Sequence, residues 1–255
     1  MDKTKIGIFG FGKTGKIVAN EFLKDSLFSL RWVVRKSCEG RHKFASRLLG
    51  YPHKSGTIFS IDDINDEFFS ERPVDAIVDF SDSKALHLYK RAAEMSIPII
   101  SAISKYEKEE SDLLKLFSES TAVLYSPNIT LGINVLMVAA QILQKIAPHA
   151  DIEIVEEHFK GKKEVSGTAK KIANTLRLDL EKHVHSIRVG DIVGRHEIIF
   201  GLPNQTIRLS HESIGRSAFG EGAIFAVNFL REQRPGLYSM EAVIADMFRK
   251  NIPVC

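Results

Sequence analysis

The chain lacks the features that would assign it to several specialised classes of protein. Only two of its 255 residues are cysteines, Cys38 and Cys255, which lie far apart without metal-ligand spacing. This argues against a disulfide framework or a zinc site and favours a reducing cytoplasm. No apolar run approaches the ~20 residues of a membrane-spanning helix, and the N-terminus shows no signal-peptide core. Basic and acidic residues nearly balance, 35 against 32, so neither nucleic acid nor a membrane surface is indicated as a partner.

What the chain contains is a change of pattern between its halves. In the first half, strand-like runs such as Lys5–Phe9 and Val74–Phe80 alternate with helical patterns, which predicts a parallel sheet covered on both faces. In the second half several strands follow one another, and Gln205–Glu212 alternates regularly between polar and apolar residues. We therefore predict an α/β chain with an N-terminal Rossmann-like dinucleotide-binding domain and a C-terminal α+β domain whose sheet is mixed or antiparallel. The predicted bounds are 1–127 for the first domain and 128–236 for the second, with a C-terminal helix of about 237–255 that returns to the first.

A glycine-rich turn follows the first strand and precedes a helix. Its pattern, Gly-x-Gly-x-x-Gly, permits a tight turn, brings the backbone close to a pyrophosphate and aims a helix N-terminus at that anion. Alone it is also compatible with an ordinary turn, but its place between strand and helix favours dinucleotide binding. The residues predicted to contact the nucleotide here are Gly10, Phe11, Gly12, Lys13, Thr14 and Gly15.

Two basic residues, Arg35 and Lys36, stand at the end of the second strand. An acidic residue about twenty positions beyond the glycines suits the 2′-hydroxyl of NAD, whereas a basic one suits the 2′-phosphate of NADP. The alternative is a solvated surface pair. The sequence thus predicts NADPH as cofactor, with NADH possible.

The segment Asp151–Ala169 carries the residues that most strongly indicate chemistry. A strand-like run delivers His158, a polar loop contains Lys162, and a Ser-Gly-Thr triplet at 166–168 stands where a helix begins. An imidazole, an ammonium and a helix N-terminus together suit a small anion that gains or loses a proton. Singly, the histidine could belong to the core, the lysine to a solvated loop and the serine to a helix cap. Their proximity in the sequence favours a catalytic site.

Three blocks of the sequence resemble the 4-hydroxy-tetrahydrodipicolinate (dihydrodipicolinate) reductase family. Glu156–Ala169 is similar to the family motif E-x-H-H-x-x-K-x-D-A-P-S-G-T-A, Arg188–Phe200 to R-x-G-x-x-x-G-x-H-x-V-x-F, and Ser126–Asn134 to the hinge N-x-S-x-G-V-N. The tail Pro235–Met240 also fits, so the resemblance spans essentially the whole chain. It implies an NAD(P)H-dependent oxidoreductase of lysine and diaminopimelate biosynthesis, typically a homotetramer assembled through the second domain's sheet.

The resemblance also implies roles for the matching residues. His158 would be the acid/base residue, and Lys162 the general acid that protonates the reduced substrate, a small cyclic imine with two carboxylates. No metal is implied. Substrate contacts would come from Phe159, Ser166, Gly167 and Thr168. Besides the glycine turn and Arg35, the cofactor would be lined by Phe80, Ser81, Ser101, Ala102, Ile103, Ser126, Pro127, Asn128 and Ile129.

The chain departs from the family pattern at three places. Phe159 replaces the family's second histidine, a substrate contact. The loop before Ser166 is one residue shorter and lacks Asp-Ala-Pro, and Ser101–Ser104 replaces the family's G-T-T-G near the nicotinamide. These departures keep the catalytic pair but bear on substrate and cofactor binding.

Two other functions remain open from the residues alone. Another two-domain NAD(P)-dependent oxidoreductase of a small amino or keto acid would share the glycine turn but would not need Lys162 beside Ser-Gly-Thr. A non-catalytic NADPH-binding sensor would be compatible with Phe159 and the altered turn. Substrate screening separates the first alternative, and NADPH binding without oxidation would indicate the second.

Overall fold

The computed structural model describes residues 2–36 and 43–251, so Cys38 and Cys255 lie outside it. Within that range the chain forms two compact units. The first combines the chain up to Thr130 with Ser217–Met240, and the second combines Leu131–Arg216 with the described residues from Glu241 onward. No helix in the described residues has both the length and the apolar character needed to cross a bilayer.

Eleven strands and ten α-helices form within the described residues, with 3-10 helices at Ile61–Asp63 and Ser83–Tyr89. The strands are β1 (Thr4–Phe9), β2 (Phe28–Arg35), β3 (Thr57–Ser60), β4 (Ala76–Asp79), β5 (Ile99–Ser101), β6 (Ala122–Tyr125), β7 (Asp151–His158), β8 (Val184–Arg188), β9 (Arg195–Leu202), β10 (Gln205–Glu212) and β11 (Gly236–Tyr238). The helices are α1 (Lys13–Lys24), α2 (Ala45–Leu48), α3 (Phe68–Glu71), α4 (Lys90–Glu94), α5 (Lys108–Ser120), α6 (Leu131–Ile146), α7 (Gly167–Leu176), α8 (Leu180–His183), α9 (Ala218–Leu230) and α10 (Met240–Asn251).

The first unit is built on a seven-stranded sheet in the order β11-β6-β5-β4-β1-β2-β3, with every neighbouring pair parallel. Its central strands are apolar because helices cover both faces, and Ile8 and Ile77 expose no surface. A Cβ at Gly7 would approach the Trp32 ring to 2.2 Å, so glycine leaves room for the indole. The strand order reverses between β1 and β4, where open α/β sheets bind their ligands. The predicted Rossmann-like fold is confirmed.

The second unit has a four-stranded sheet in the order β10-β9-β7-β8. β7 and β10 are antiparallel to β9, whereas β8 runs parallel to β7, so the sheet is mixed. Side chains from α6 and α7, such as Ile133 and Ile172, pack on Ile154, Ile198 and Phe200 on one face. The predicted α+β domain with a mixed sheet is confirmed.

The predicted and observed domain divisions assign different C-terminal segments to the first unit. The observed segment is Ser217–Met240, whereas the part of α10 from Glu241 belongs to the second unit. The reason is that β11 pairs in parallel with β6, and α9 packs closely on α1. A Cβ at Gly220 would come within 2.7 Å of the Glu21 side chain, so a small residue permits this approach. The sequence pattern predicts neither β11 nor β3.

Candidate functional site

The glycine-rich turn of the first unit has the backbone geometry of an anion-binding site. Gly10 has φ +89°, and a Cβ at Gly15 would lie 1.9 Å from the carbonyl oxygen of Gly10, so both positions require glycine. A Cβ at Gly12 would meet nothing within 4 Å, which leaves that backbone open to a ligand. α1 begins at Lys13 without an acidic residue in its first turn, so its N-terminus favours an anion.

A cavity of about 650 Å³ opens at this turn. It lies at the carboxyl ends of β1, β2 and β4, a volume and place suited to a small-molecule or cofactor site. An open backbone, a helix N-terminus and two cations fit a nicotinamide dinucleotide. Of the predicted cofactor residues, those lining the cavity are Gly10, Phe11, Gly12, Arg35, Lys36, Phe80 and Ser81.

Lys13, Thr14 and Gly15 form the first turn of α1, and the remaining predicted cofactor residues lie at the ends of β5 and β6 and in the turns that follow them. The amide of Ala102 donates to the carbonyl oxygen of Asp79 at 3.0 Å, and the amide of Ser126 donates to that of Ser101 at 2.9 Å. The Ser126 hydroxyl donates to the carbonyl oxygen of Asn128 at 2.9 Å. Ile103 and Ile129 are buried, whereas Pro127 is exposed. The turns after β4, β5 and β6 are therefore linked side by side at one edge of the sheet.

In the second unit a fully buried carboxylate, Glu156, organises the residues around the predicted catalytic pair. Arg188 donates to its two oxygens from Nη1 at 2.9 Å and Nη2 at 2.6 Å, and the Ser186 hydroxyl donates at 2.6 Å. Nδ1 of His158 and the amide of Ser166, at 3.2 Å, also contact it. Burial alone would raise the pKa of Glu156, but these hydrogen bonds outweigh it and lower the pKa to about 2. Glu156 is therefore ionised at neutral pH.

His158 is buried, and its protonation follows from this neighbour. Burial lowers the pKa of His158, and although Glu156 opposes this effect, the nearby charges of Lys162 and Arg188 add to it. Because ionised Glu156 can only accept, Nδ1 of the neutral ring carries the proton and Nε2 keeps its lone pair. A Cβ at Gly194 would lie 3.0 Å from that Nε2, so the glycine leaves space beside it.

The loop that carries Lys162 is fixed by the same arginine that holds Glu156. Arg188 donates from Nε to the carbonyl oxygen of Lys162 and from Nη2 to that of Glu164, both at 2.9 Å. Phe159 exposes 42% of its surface, and its ring lies beside Gly161. One guanidinium thus ties the lysine loop to the histidine through Glu156.

The Ser-Gly-Thr triplet forms the start of α7 without a side-chain cap. The hydroxyl of Ser166 pairs with Nε2 of His196 at 2.9 Å instead of capping the helix. The His196 ring packs edge-on to His158, 5.3 Å between centroids, and burial followed by the proximity of His158 lowers the pKa of His196 to about 4. Gly167 is exposed and Thr168 half-buried. No acid occupies the first turn of α7, so its N-terminus is open to an anion.

Sequence reasoning assigned no role to Glu156, Ser186, Arg188 or His196, although all four lie near His158. The signal was partly present, since Glu156 and His158 are two residues apart on one strand and share a face. The positions of Ser186 and Arg188 depend instead on β8 running parallel to β7, which places Ser186 opposite Glu156 and Arg188 opposite His158. Within 2–36 and 43–251 no group of three or more His, Cys, Asp or Glu is arranged to hold a metal ion.

Comparisons with protein families match nearly all of the chain. Residues 4–129 match the family model described as "Dihydrodipicolinate reductase, N-terminus", and residues 132–244 match "Dihydrodipicolinate reductase, C-terminus". The 4-hydroxy-tetrahydrodipicolinate reductase of Caldanaerobacter subterraneus subsp. tengcongensis is 36% identical over 192 residues, which cover 67% of this chain and 76% of that protein. The enzyme of the same name from Alkaliphilus oremlandii is 33% identical over 192 residues, 67% of this chain and 80% of that protein.

Solved structures share the fold at low sequence identity. A dipicolinate-bound dihydrodipicolinate reductase from Paenisporosarcina sp. has a TM-score of 0.75 and 19% identity, covering 93% of this chain and 98% of that one. The diaminopimelate (DAP) dehydrogenase of C. glutamicum has a TM-score of 0.60 and 10% identity, covering 99% and 100% of the two chains. At these identities the structures support the two-domain fold.

Proposed function

The chain belongs to the dihydrodipicolinate reductase family, and we propose that it reduces 4-hydroxy-tetrahydrodipicolinate to tetrahydrodipicolinate with NADPH, using Lys162 as the proton donor. Its relatives support an oxidoreductase of lysine and diaminopimelate biosynthesis that uses a nicotinamide dinucleotide. The observation that carries the proposal is one ionised carboxylate, Glu156, which contacts His158 and the start of α7 directly and is joined to the loop of Lys162 by Arg188.

The reaction replaces the substrate's ring hydroxyl, lost as water, with a hydride and balances the charge with one proton. A dinucleotide held by the glycine turn would supply the hydride, which goes to a ring carbon conjugated with the C=N bond. Negative charge then develops at the ring nitrogen, where the ammonium of Lys162 stabilises it and donates the proton. His158 is neutral with Nε2 unprotonated, so it accepts a hydrogen bond or a proton rather than donating one there.

The substrate's carboxylates suit the start of α7. Gly167 offers an exposed amide, Thr168 a hydroxyl, and the helix N-terminus a favourable dipole for an anion. Ser166 is held by His196 and fixes where the helix begins. Phe159 contributes an apolar contact in place of the hydrogen bond that a histidine would give. We propose Phe159, Ser166, Gly167 and Thr168 as the substrate contacts.

The cofactor would be held by the glycine turn and the turns after β4, β5 and β6. Arg35 is half-buried and Lys36 exposed, and both line the cavity at the end of β2. The 2′-phosphate of NADPH, bound there, would lie beside two cations, which supports NADPH over NADH as the cofactor. Measuring turnover with each cofactor tests this preference, and equal kcat/KM for the two would contradict it.

Replacing Lys162 with alanine tests the assignment of the proton donor. General acid catalysis typically contributes 10²- to 10⁴-fold, so we expect kcat to fall at least about 100-fold while NADPH binds as in the wild type. The matched control is Lys163→Ala, which removes an exposed lysine from the same loop and should leave kcat nearly unchanged. Absorbance at the nicotinamide band, with enzymatically generated substrate, reports turnover. Equal losses in turnover and NADPH affinity, or equal losses in both variants, would contradict the role of Lys162.

We further propose a homotetramer and use in the cytoplasm. The face of the second unit's sheet opposite α6 and α7 carries polar residues such as Thr206 and Arg208, and Ile207 of the same edge strand is also exposed. Sedimentation should give about four times the 28.6 kDa chain mass. A monomer at micromolar concentration would contradict the assembly, and recovery in a membrane fraction would contradict the location.

A further inference from the structure

A second buried carboxylate lies in the first unit, at the end of β4, where the mechanism gives it no role. Asp79 exposes no surface. It accepts three hydrogen bonds: from the amide of Ser81 at 2.8 Å, from the hydroxyl of Ser81, and from the phenol of Tyr89 at 2.8 Å. Ser81 also lines the cavity beside the glycine turn. The carboxylate thus fixes both polar groups of a residue that faces the cavity.

The same buried region extends to the turn after β5. The hydroxyl of Ser101 pairs with that of Tyr106 at 2.8 Å, and both residues are buried. Tyr106 lies near Tyr89, and each phenol acts on the pKa of the other. The carbonyl oxygen of Asp79 accepts a hydrogen bond from the amide of Ala102. Asp79 therefore connects the turn at 80–81 with the turn at 101–103, where the sequence departs from the family pattern.

We propose that Asp79 is a positioning residue for the dinucleotide: its carboxylate holds Ser81 and, through Tyr89 and Tyr106, the turn at 101–103 in the conformation that binds the cofactor. This inference rests on the proposed binding of a nicotinamide dinucleotide to the first unit. It adds a group that does not contact the cofactor but sets the geometry of residues that do.

The hydrogen bonds make this role dependent on pH. The pKa of Asp79 is raised to about 6. Burial is the main cause and the nearby Asp82 adds to it, whereas the hydrogen bonds from Ser81 and Tyr89 oppose the shift. The titratable groups facing it are Asp82 on its own turn, Tyr89 on the 3-10 helix and Tyr106 beyond β5. A protonated carboxyl accepts hydrogen bonds more weakly than a carboxylate and carries a proton of its own to donate, so protonation weakens the contacts with Ser81 and Tyr89. We expect the positioning to weaken as pH falls through about 6.

The test compares NADPH binding by the wild type and Asp79→Asn, followed by nicotinamide fluorescence. The ratio of the two Kd values at each pH cancels the titration of the cofactor's own 2′-phosphate. Because hydrogen bonds to a charged group are stronger than those to a neutral one, the variant should bind about tenfold more weakly at about pH 8. The ratio should approach one at about pH 5, where wild-type Asp79 is also neutral. Tyr89→Phe, which removes one donor, should weaken binding by a smaller factor.

The control is Tyr51→Phe, which removes a phenol that bonds to Asn20 elsewhere in the unit. It should bind NADPH as the wild type does. A Kd ratio for Asp79→Asn that stays at one, or that is constant with pH, would overturn the positioning role. If Asp79→Asn does not fold, wild-type affinity in both Tyr89→Phe and Tyr106→Phe would overturn it. Failure of the wild type itself to bind NADPH would instead contradict the proposed function, and this inference with it.

Discussion

Two carboxylates, one in each unit, are equally hidden from solvent but differ in charge at mildly acidic pH. Burial acts to raise the pKa of both, yet the pKa of Glu156 is about 2 and that of Asp79 about 6. Glu156 receives both arms of the Arg188 guanidinium, whereas Asp79 receives two hydroxyls and one amide. A carboxyl group that exposes no surface can therefore have a lowered or a raised pKa, and a cationic hydrogen-bond donor such as Arg188 favours the ionised form.

The difference in pKa between Glu156 and Asp79 fits the role that we propose for each carboxylate. A permanently ionised Glu156 keeps the proton of His158 on Nδ1 and holds the loop of Lys162 through Arg188, so the proposed acid/base site keeps one arrangement across neutral pH. Asp79 pairs with no cation among the residues that the structure describes. Its hydrogen bonds with Ser81 and Tyr89 are stronger when it is ionised, which makes the proposed cofactor turn sensitive to mild acid.

The largest expected effect comes from removing the cation that distinguishes the two sites. Arg188→Met leaves Glu156 buried without its counter-charge, which typically costs about 3–5 kcal/mol of unfolding free energy. The pKa of Glu156 is depressed from 4.5, so its contribution to stability is present above that value and lost as pH falls towards about 2. Urea denaturation should therefore show a large deficit at about pH 7 that shrinks at about pH 3.

A surface arginine provides the control for that prediction. Arg208 pairs with Glu197 while its own side chain is 54% exposed, so Arg208→Met should cost about 1 kcal/mol or less. Similar losses in Arg188→Met and Arg208→Met would mean that the guanidinium beside Glu156 does not stabilise a buried charge.

The second prediction concerns Asp79, whose replacement should change the unfolding free energy in the opposite direction. The pKa of Asp79 is raised from 3.8, so its contribution to stability is fully present below that value and is lost as pH rises through about 6. Ionised Asp79 therefore destabilises the folded protein at about pH 7. Asp79→Asn removes this destabilisation but also weakens the hydrogen bonds to Ser81 and Tyr89. The net effect should be a rise of about 1 kcal/mol in the unfolding free energy of the cofactor-free protein. Glu156→Gln should lower it.

Thermal denaturation of the two variants across pH measures this contrast. The gain in Asp79→Asn should vanish below about pH 4, because wild-type Asp79 is then protonated in both the folded and the unfolded state. A loss of stability in both variants at neutral pH would show that the two carboxylates act alike. A stabilised Asp79→Asn that also binds NADPH weakly would separate the positioning role from a structural one.

The sequence predicts the parts of the molecule that local patterns determine. Strand β10 has the predicted bounds, Gln205–Glu212, because one residue in two faces the core, and the glycine turn follows β1 as expected. The catalytic roles of His158 and Lys162 stay predictions. Glu156 escaped assignment because its partner Arg188 is 32 residues away. Asp79 escaped it because Tyr106 and the turn at 101–103, which it is proposed to position, belong to later elements of the chain. A three-residue strand such as β11 carries too little pattern to be recognised.

The smallest expected effect comes from removing one neutral donor from each carboxylate. Ser186→Ala takes a hydroxyl from Glu156 but leaves Arg188, so Glu156 stays ionised and stability should fall by only about 1 kcal/mol. Tyr89→Phe takes a hydroxyl from Asp79, which pairs with no cation within 2–36 and 43–251, so the pKa of Asp79 should rise. The pH at which NADPH affinity declines should then move upward in Tyr89→Phe and remain unchanged in Ser186→Ala. An unchanged midpoint in Tyr89→Phe would show that its phenol does not support the charge of Asp79.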